Sequence, residues 1–415
     1  MTAQIQLPSQ LSAGTHWQVH GDHESIRAGV EAQRSWSIQS PAGFPPVING
    51  PTACPVSDSD LCGVHILNLN GQDVVEIENG LRSFKGLGMD GDDVTRERFP
   101  LPNLQKRLDG CAAEIHDGTG LCIIRGLDPR RYSVEDNIMI FLGVSSYIGG
   151  KRGLQNSKGA MLTHVTESKL WSVPREKRHG IHTNESLPFH SDMGCDILSL
   201  HVRQCAETGG RTCVASSADI YNHLAQTNPL AVHALARPDW PIQTCHTGAS
   251  FVLSPLLAYH KDKLILSVDP CRVGPPPSAC AGPVPSLTTE QHDALAALQM
   301  AAHENQVPID SQPGDFVYIN NWSMLHAREP YQDGETSARH LVRMWLRNEA
   351  LAWEIPTSMR VPWESSFGET AKRVTNREYP IVPMPEYKES KYTAGTAAFV
   401  PEDDDDYHWC DRNVR

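Results

Sequence analysis

Long apolar runs are missing from this 415-residue chain. No stretch approaches the roughly 20 apolar residues that a membrane span requires, which excludes a membrane partner from the expectations. Basic charge is also short. There are 36 Lys and Arg against 49 Asp and Glu, a net charge of −13. A phosphate backbone asks for a basic footprint, so nucleic acid is not an expected partner. Organised cysteine is lacking as well. The eleven cysteines are odd in number, scattered, and contain no C-x-x-C. That argues against a disulfide framework or a zinc finger and for reduced thiols. The N-terminus MTAQIQLPSQ has no basic region followed by an apolar one, and the chain ends DRNVR rather than in SKL or KDEL. A cytoplasmic location is expected.

What is present is a composition of 40% hydrophobic and 20% charged residues, that of a globular protein with a sizeable core. The first 75 residues, with SPAGFPPVINGPTACPVSDSD, hold no helical or strand period and read as a partly irregular N-terminal extension. The main folded unit is expected over 76–385. Residues 386–415 form a tail whose run Asp403–Asp406 reads as solvated and acidic.

Within the main unit, LPNLQKRLDGCAAEIHDG places Leu104, Leu108, Ala112 and Ile115 on one helical face and closes at Gly118. GTGLCIIRGL reads as a buried strand. Ser133 and Asp136 have capping-box spacing ahead of another helix, and so do Thr288 and Gln291. SSADIYNHLAQ reads as a helix, and Asn228 and Pro229 open the next. CDILSLHVRQC, PGDFVYINNW and ARHLVRMWLR read as strands. FVLSPLLAYHKDKLILSVDP reads as two apolar runs about a charged hairpin tip. No βαβ alternation is visible.

Three His-x-Asp pairs occur: His20/Asp22, His190/Asp192 and His260/Asp262. With 19 histidines and 26 aspartates, chance supplies about one. His260/Asp262 sits at the hairpin tip between Lys261 and Lys263, where two ammonium groups oppose a dication. His20/Asp22 lies in the irregular N-terminal segment. His190/Asp192, in LPFHSDMG, follows apolar residues and precedes Gly194. On a strand, residues i and i+2 share a face, so both side chains can meet one metal. An Fe(II) ion that must bind a co-substrate and dioxygen needs three protein ligands on one face, which two His and a carboxylate supply. His326, in GDFVYINNWSMLHARE, is the candidate for the third.

In ARHLVRMWLR, read as a strand, Arg339, Leu341, Arg343, Trp345 and Arg347 share one face. Arginines inside a barrel need anionic partners, since a lone buried charge is very costly. A guanidinium matches a carboxylate. Beside an iron site, this implies a dicarboxylate co-substrate.

TNESLPFHSDMG, TGGRTCVASSADIYNHLA, GDFVYINNWSMLHAREPYQD and ARHLVRMWLR together resemble the TauD/TfdA family of Fe(II)- and 2-oxoglutarate-dependent dioxygenases, especially its fungal TfdA-like members. The resemblance covers roughly residues 95–355. It implies a mainly β fold with flanking helices, the double-stranded β-helix or jelly roll. It implies metal ligands at His190, Asp192 and His326, and a Gly209–Gly210–x–Thr212 element whose hydroxyl contacts 2-oxoglutarate. It implies Arg339 on the distal carboxylate, and Arg343 on an acidic group of the substrate, with a second contact to 2-oxoglutarate or a structural ion pair as the alternatives. Asn321 falls on an Asn that shapes the pocket and is assigned to the substrate.

The implied reaction oxidises a C–H bond of a small, carboxylate-bearing molecule such as an amino acid or a natural-product intermediate of secondary metabolism. Hydroxylation is the default outcome, with desaturation and oxidative cyclisation open. Fe(II), 2-oxoglutarate and O2 are required, ascorbate is a stimulant, succinate and CO2 are released, and a homo-oligomer is left open. The Pro-rich SVDPCRVGPPPSACAGPVPS departs from the family pattern. Two other readings of the same ligands are a zinc hydrolase and a non-catalytic jelly-roll binding protein. The zinc hydrolase leaves Arg339 and the G-G-R-T element unexplained, and a non-catalytic binding protein need not keep all three ligands, which this chain retains.

Overall fold

The computed structural model describes residues 39–53, 64–156, 158–168, 171–175, 178–244, 251–275 and 284–384. The His20/Asp22 pair, the acidic tail and the centre of the Pro-rich segment lie outside these residues.

The first strand, β1 (His65–Asn68), leads into helix α1 (Gly71–Gly86), and α2 (Gln105–Asp117) precedes β2 (Leu121–Arg125) and α3 (Val134–Ser145). Next come β3 (Lys151–Gly153), β4 (Leu162–Thr166), β5 (Leu187–His190), β6 (Ile197–Gln204), β7 (Thr208–Gly209) and β8 (Thr212–Ser216). Helices α4 (Ser217–Thr227) and α5 (Pro229–Ala236) lead to β9 (Trp240–Gln243), β10 (Phe251–Ser254), β11 (Leu257–His260) and β12 (Lys263–Leu266). Helix α6 (Thr289–Glu304) is followed by β13 (Gln306–Ile309), β14 (Phe316–Asn320), β15 (Met324–Arg328), β16 (Tyr331–Gln332) and β17 (His340–Arg347).

The main sheet runs β1-β2-β14-β6-β17-β3, with β4 also on β17, and a smaller sheet runs β13-β8-β15-β5. The two sheets and their covering helices form the expected jelly roll. Strand β17 shows why this sequence builds it. Val342, Met344 and Leu346 enter the core that the main sheet shares with α1, α2 and α3. Leu341 and Trp345 enter a second core, formed with the smaller sheet and α4–α6. This is the period of two that a strand buried on both faces requires.

The helix starts follow local chemistry. Ser133 Oγ accepts the Asp136 N–H at 3.0 Å, and Thr288 and Gln291 exchange bonds of 3.2 and 2.9 Å. Asn228 caps α5, with Pro229 at its first position.

Two expectations need correction. The boundary at 75/76 falls inside α1, which Asn70 and Asp73 cap reciprocally. Strand β1 before it pairs in parallel with β2, so the folded unit begins earlier. The run FVLSPLLAY also divides. Phe251–Ser254 pairs with β9, whereas the hairpin is β11–β12. Lys261 and Asp262 form its tip at φ 48° and 60°, the left-handed conformation of a tight hairpin turn. There His260 pairs with Glu354 at 3.0 Å while Asp262 points to solvent, so this H-x-D pair is a surface turn.

Candidate metal centre and active site

His190 ends β5 and His326 lies in the middle of β15. The two strands are antiparallel neighbours, and His190 and His326 are cross-strand partners. Such partners share a face, and here their ring centroids lie 4.1 Å apart. Asp192 follows two residues after His190. Its Oδ1 is 3.8 Å from His190 Nε2 and 3.7 Å from His326 Nε2. All three residues are buried. His190 Nδ1 donates to the Pro188 carbonyl at 2.8 Å, leaving its Nε2 lone pair free toward Asp192. Burial pushes the His326 imidazole down to about 3, so it is neutral and able to ligate at physiological pH. Asp192 Oδ1 is buried and has no hydrogen-bond partner. A buried carboxylate oxygen left unpaired between two imidazole nitrogens is the arrangement that a bound cation satisfies.

The rest of Asp192 is fixed. Its Oδ2 accepts the Trp345 indole N–H at 2.7 Å and pairs with Arg343 Nη1 at 3.0 Å. Burial pushes this carboxyl up, but the Arg343 guanidinium foremost, with the indole N–H, outweighs it and holds it below its ordinary value. Asn321 clamps the turn. Its Oδ1 accepts from Asp192 N at 2.9 Å, and its Nδ2 donates to the carbonyls of Asp192 and Cys195 at 2.7 and 2.8 Å. Ser191 ties the same turn to Val268, whose N–H donates to Ser191 Oγ at 2.9 Å. Gly194 closes it at φ 92°, where a side chain would be strained.

Asn321 was expected at the substrate. It is fully buried and both Nδ2 hydrogens are used on backbone, so it faces the H-S-D turn instead. Arg343 is likewise committed, to Asp192 through Nη1 and to Gln155 through Nε at 2.9 Å. One buried nitrogen, Nη2, has no hydrogen-bond partner. Arg347, on the same face, pairs with buried Asp196 at 2.6 Å.

Further along the barrel, Thr212 and Arg328 are cross-strand partners, two residues from the Val214–His326 pair. At about 3.3 Å per residue that offset is roughly 7 Å. Thr212, Gly210, Leu341 and Arg339 line one cavity of about 140 Å³. Arg339 Nε donates to the Gly210 carbonyl at 2.8 Å, and a Cβ on Gly210 would stand 2.8 Å from Arg339 Cδ, so glycine permits this approach. Burial pushes the Arg339 guanidinium down to about 10.

Sequence reading missed two neighbours. Arg328 is buried and pushed down to about 9 by burial and by the Arg339 charge. Tyr331 presents its ring to both guanidinium groups, at 5.3 and 5.4 Å. Arg328 Nη1, Arg339 Nη1 and Tyr331 Oη are all buried without hydrogen-bond partners. The signal was present in H-A-R, since on a strand Arg328 must share the face of His326.

A jelly roll carrying a two-His, one-carboxylate metal centre with buried arginines beyond it is the architecture of a non-haem iron oxygenase that uses an oxoacid. The chain belongs to the taurine catabolism dioxygenase TauD, TfdA family, which it matches over residues 84–345. It is an oxidoreductase of the Fe(II)/2-oxoglutarate dioxygenase type, acting on a small substrate.

Among its relatives is the taurine hydroxylase-like protein SAT17 of Stachybotrys chartarum. That protein is 33% identical over 316 residues, covering 73% of this chain and 80% of the relative. FR-33289 synthase of Streptomyces rubellomurinus is 29% identical over 280 residues, covering 64% and 80%. Similar solved folds include asparagine oxygenase with Fe(II), 2S,3S-3-hydroxyasparagine and succinate, at TM-score 0.55 and 16% identity over 68% of this chain and 93% of that one. The non-haem iron oxygenase OrfP with Fe and alpha-ketoglutaric acid aligns at TM-score 0.53 and 17% identity, over 69% and 94%. No helix among the described residues is long and apolar enough to cross a membrane.

Proposed function

We propose that the protein hydroxylates an aliphatic C–H bond of a small molecule bearing a carboxylate, with an amino acid or an amino-acid-derived natural-product intermediate as the class. The single observation that carries this reading is the set of buried guanidinium nitrogens without partners, Arg328 Nη1, Arg339 Nη1 and Arg343 Nη2, within one barrel. Among the described residues, the Arg328 and Arg339 guanidinium groups donate only to backbone carbonyls and face no carboxylate, and Arg343 keeps one free N–H beside its pair with Asp192; buried N–H groups of cations left without acceptors call for anionic ligands. The solved asparagine oxygenase carries hydroxyasparagine, and OrfP has been solved with L-Arg, which supports an amino-acid-like substrate.

His190, Asp192 Oδ1 and His326 would hold the iron. When bound, Fe(II) with 2-oxoglutarate and O2 supplies the oxidising chemistry, releasing succinate and CO2 as one oxygen atom enters the substrate. The protein supplies orientation. Thr212, Arg339, Arg328 and Tyr331 would hold the distal carboxylate. Arg343 Nη2 faces the acidic group of the substrate while Nη1 steadies Asp192. Trp345, Asn321 and Ser191 keep the carboxylate and its turn from moving as ligands enter.

The test begins without oxygen. Fe(II) and then 2-oxoglutarate are added to the protein, and the weak visible charge-transfer band of the chelate is sought. Succinate release is then followed across a panel of amino acids, their derivatives and other small acids. The reading expects the band in the wild type and substrate-stimulated succinate for at least one carboxylate-bearing compound. Stimulation by neutral compounds alone would overturn the substrate class.

A further inference from the structure

We propose that Cys111, Cys122 and His65 form a second metal site, distinct from the His190–Asp192–His326 centre, that takes a soft divalent cation of the zinc or cadmium class. Cys111 lies on α2, Cys122 on β2 and His65 on the edge strand β1. His65 and Cys122 are direct partners in the parallel β1–β2 pair, and the face of β2 that carries Cys122 packs against α2. The two Sγ atoms and an imidazole nitrogen all lie within 4.8 Å of one another. Among the described residues, only this trio and the iron ligands bring three such ligand atoms together.

The chemistry of the donors decides which cation fits. Two thiolates and one imidazole are a soft set, suited to zinc or cadmium rather than to the hard, oxygen-loving ions. Both cysteines are fully buried in the layer between helices and main sheet, among Ile124, Ile115 and Tyr318. An isolated thiolate there would be an uncompensated charge. A dication that displaces both thiol protons leaves a cluster of zero net charge, which an apolar layer can hold. His65 is exposed, so the trio meets solvent at one corner, where an ion can enter and a water can complete four-fold coordination. Cysteines serving only as small apolar packing groups, as Cys195 does, need no imidazole beside them. The bound ion would tie edge strand β1, and with it the entry to α1, to the α2–β2 unit.

The experiment uses the full chain, reduced with a phosphine and desalted without oxygen, and titrates it with Co(II). The iron centre offers Co(II) nitrogen and oxygen donors, so an intense near-ultraviolet thiolate-to-cobalt band reports the cysteine trio. The band should grow to saturation, disappear in Cys111→Ser and in Cys122→Ser, and persist in His326→Ala. His65→Ala should weaken the affinity by about tenfold or more. A titration with no such band, or a band surviving in both serine variants, overturns the site. Should those variants fail to fold, the wild type decides. Zn(II) should slow alkylation of Cys111 and Cys122 in moderate urea, read by peptide mass spectrometry. Alkylation indifferent to Zn(II) overturns the proposal.

Discussion

Arg343 Nη1 stands 3.0 Å from Asp192 Oδ2, the carboxylate oxygen that faces away from the two histidines. The Trp345 indole N–H takes the same oxygen at 2.7 Å. Oδ1 is thereby left alone between His190 and His326, with its orientation set from behind. This relationship separates two roles for Arg343, since a guanidinium that only greeted substrate would leave the metal indifferent to its removal.

Arg343→Ala is therefore expected to weaken Fe(II) or Co(II) binding by about 10- to 100-fold, the usual cost of losing an outer partner of a ligand. Titration of the metal-free protein without substrate measures this. Arg343→Lys should recover part of the loss, because the charge returns but the Gln155 bond through Nε does not. Metal affinity unchanged in both variants would return Arg343 to the substrate alone.

Arg339→Ala removes the guanidinium that lines the cavity with Thr212. Losing one partner of a buried charge pair costs about 2–5 kcal/mol, so the 2-oxoglutarate requirement should rise by roughly 30-fold or more. Arg328→Ala and Tyr331→Phe should raise it less, and metal affinity should hold in all three. Anaerobic titration of the chelate band gives the dissociation constants. If Arg339→Ala leaves that constant unchanged, a different group grips the distal carboxylate.

Much of this site was legible because strands have a period of two. Arg339/Arg343 follow from it, and the capped helices from their Ser, Thr and Asn starts, whereas β5 ends at His190 and Asp192 reaches the same site from the turn beyond the strand. What stayed hidden depends on tertiary pairing. Nothing local says that β15 lies beside β5, which makes His190 and His326 partners. Nothing local gives Asn321 two backbone carbonyls 126 and 129 residues earlier. Strand β1 escaped notice because HILN is short and follows a segment rich in turn residues, and its order comes from pairing with β2. Arg328 could have been found by extending the alternation two residues past His326.

Asn321→Ala deletes three hydrogen bonds to the H-S-D turn and leaves buried backbone groups of Asp192 and Cys195 unpaired. Each unpaired group costs about 1–3 kcal/mol, so the midpoint of denaturant unfolding should fall clearly. Metal affinity should fall with it, since the turn carries Asp192. The KM for substrate in the metal-saturated variant should change little. A variant of normal stability and metal affinity with a raised substrate KM would restore Asn321 to the pocket.

The His164–His340 pair predicts how the protein responds to acid. His164 Nε2 donates to the Pro380 carbonyl at 2.8 Å, so its Nδ1 must accept the His340 Nε2 hydrogen, also at 2.8 Å. Protonating His164 Nδ1 breaks that bond. Burial holds His164 at about 4 and His340 at about 3, below the ordinary 6.5. The unfolded chain therefore binds protons that the folded one refuses. The stabilising contribution is complete above pH 6.5 and is lost as pH falls through the folded value near 4. For His164 alone the loss is about 3 kcal/mol. Melting temperatures measured from pH 7 to pH 4 should fall less steeply in His164→Gln than in the wild type, by the effect of roughly one proton. Parallel curves would mean that this histidine is already charged in the native fold.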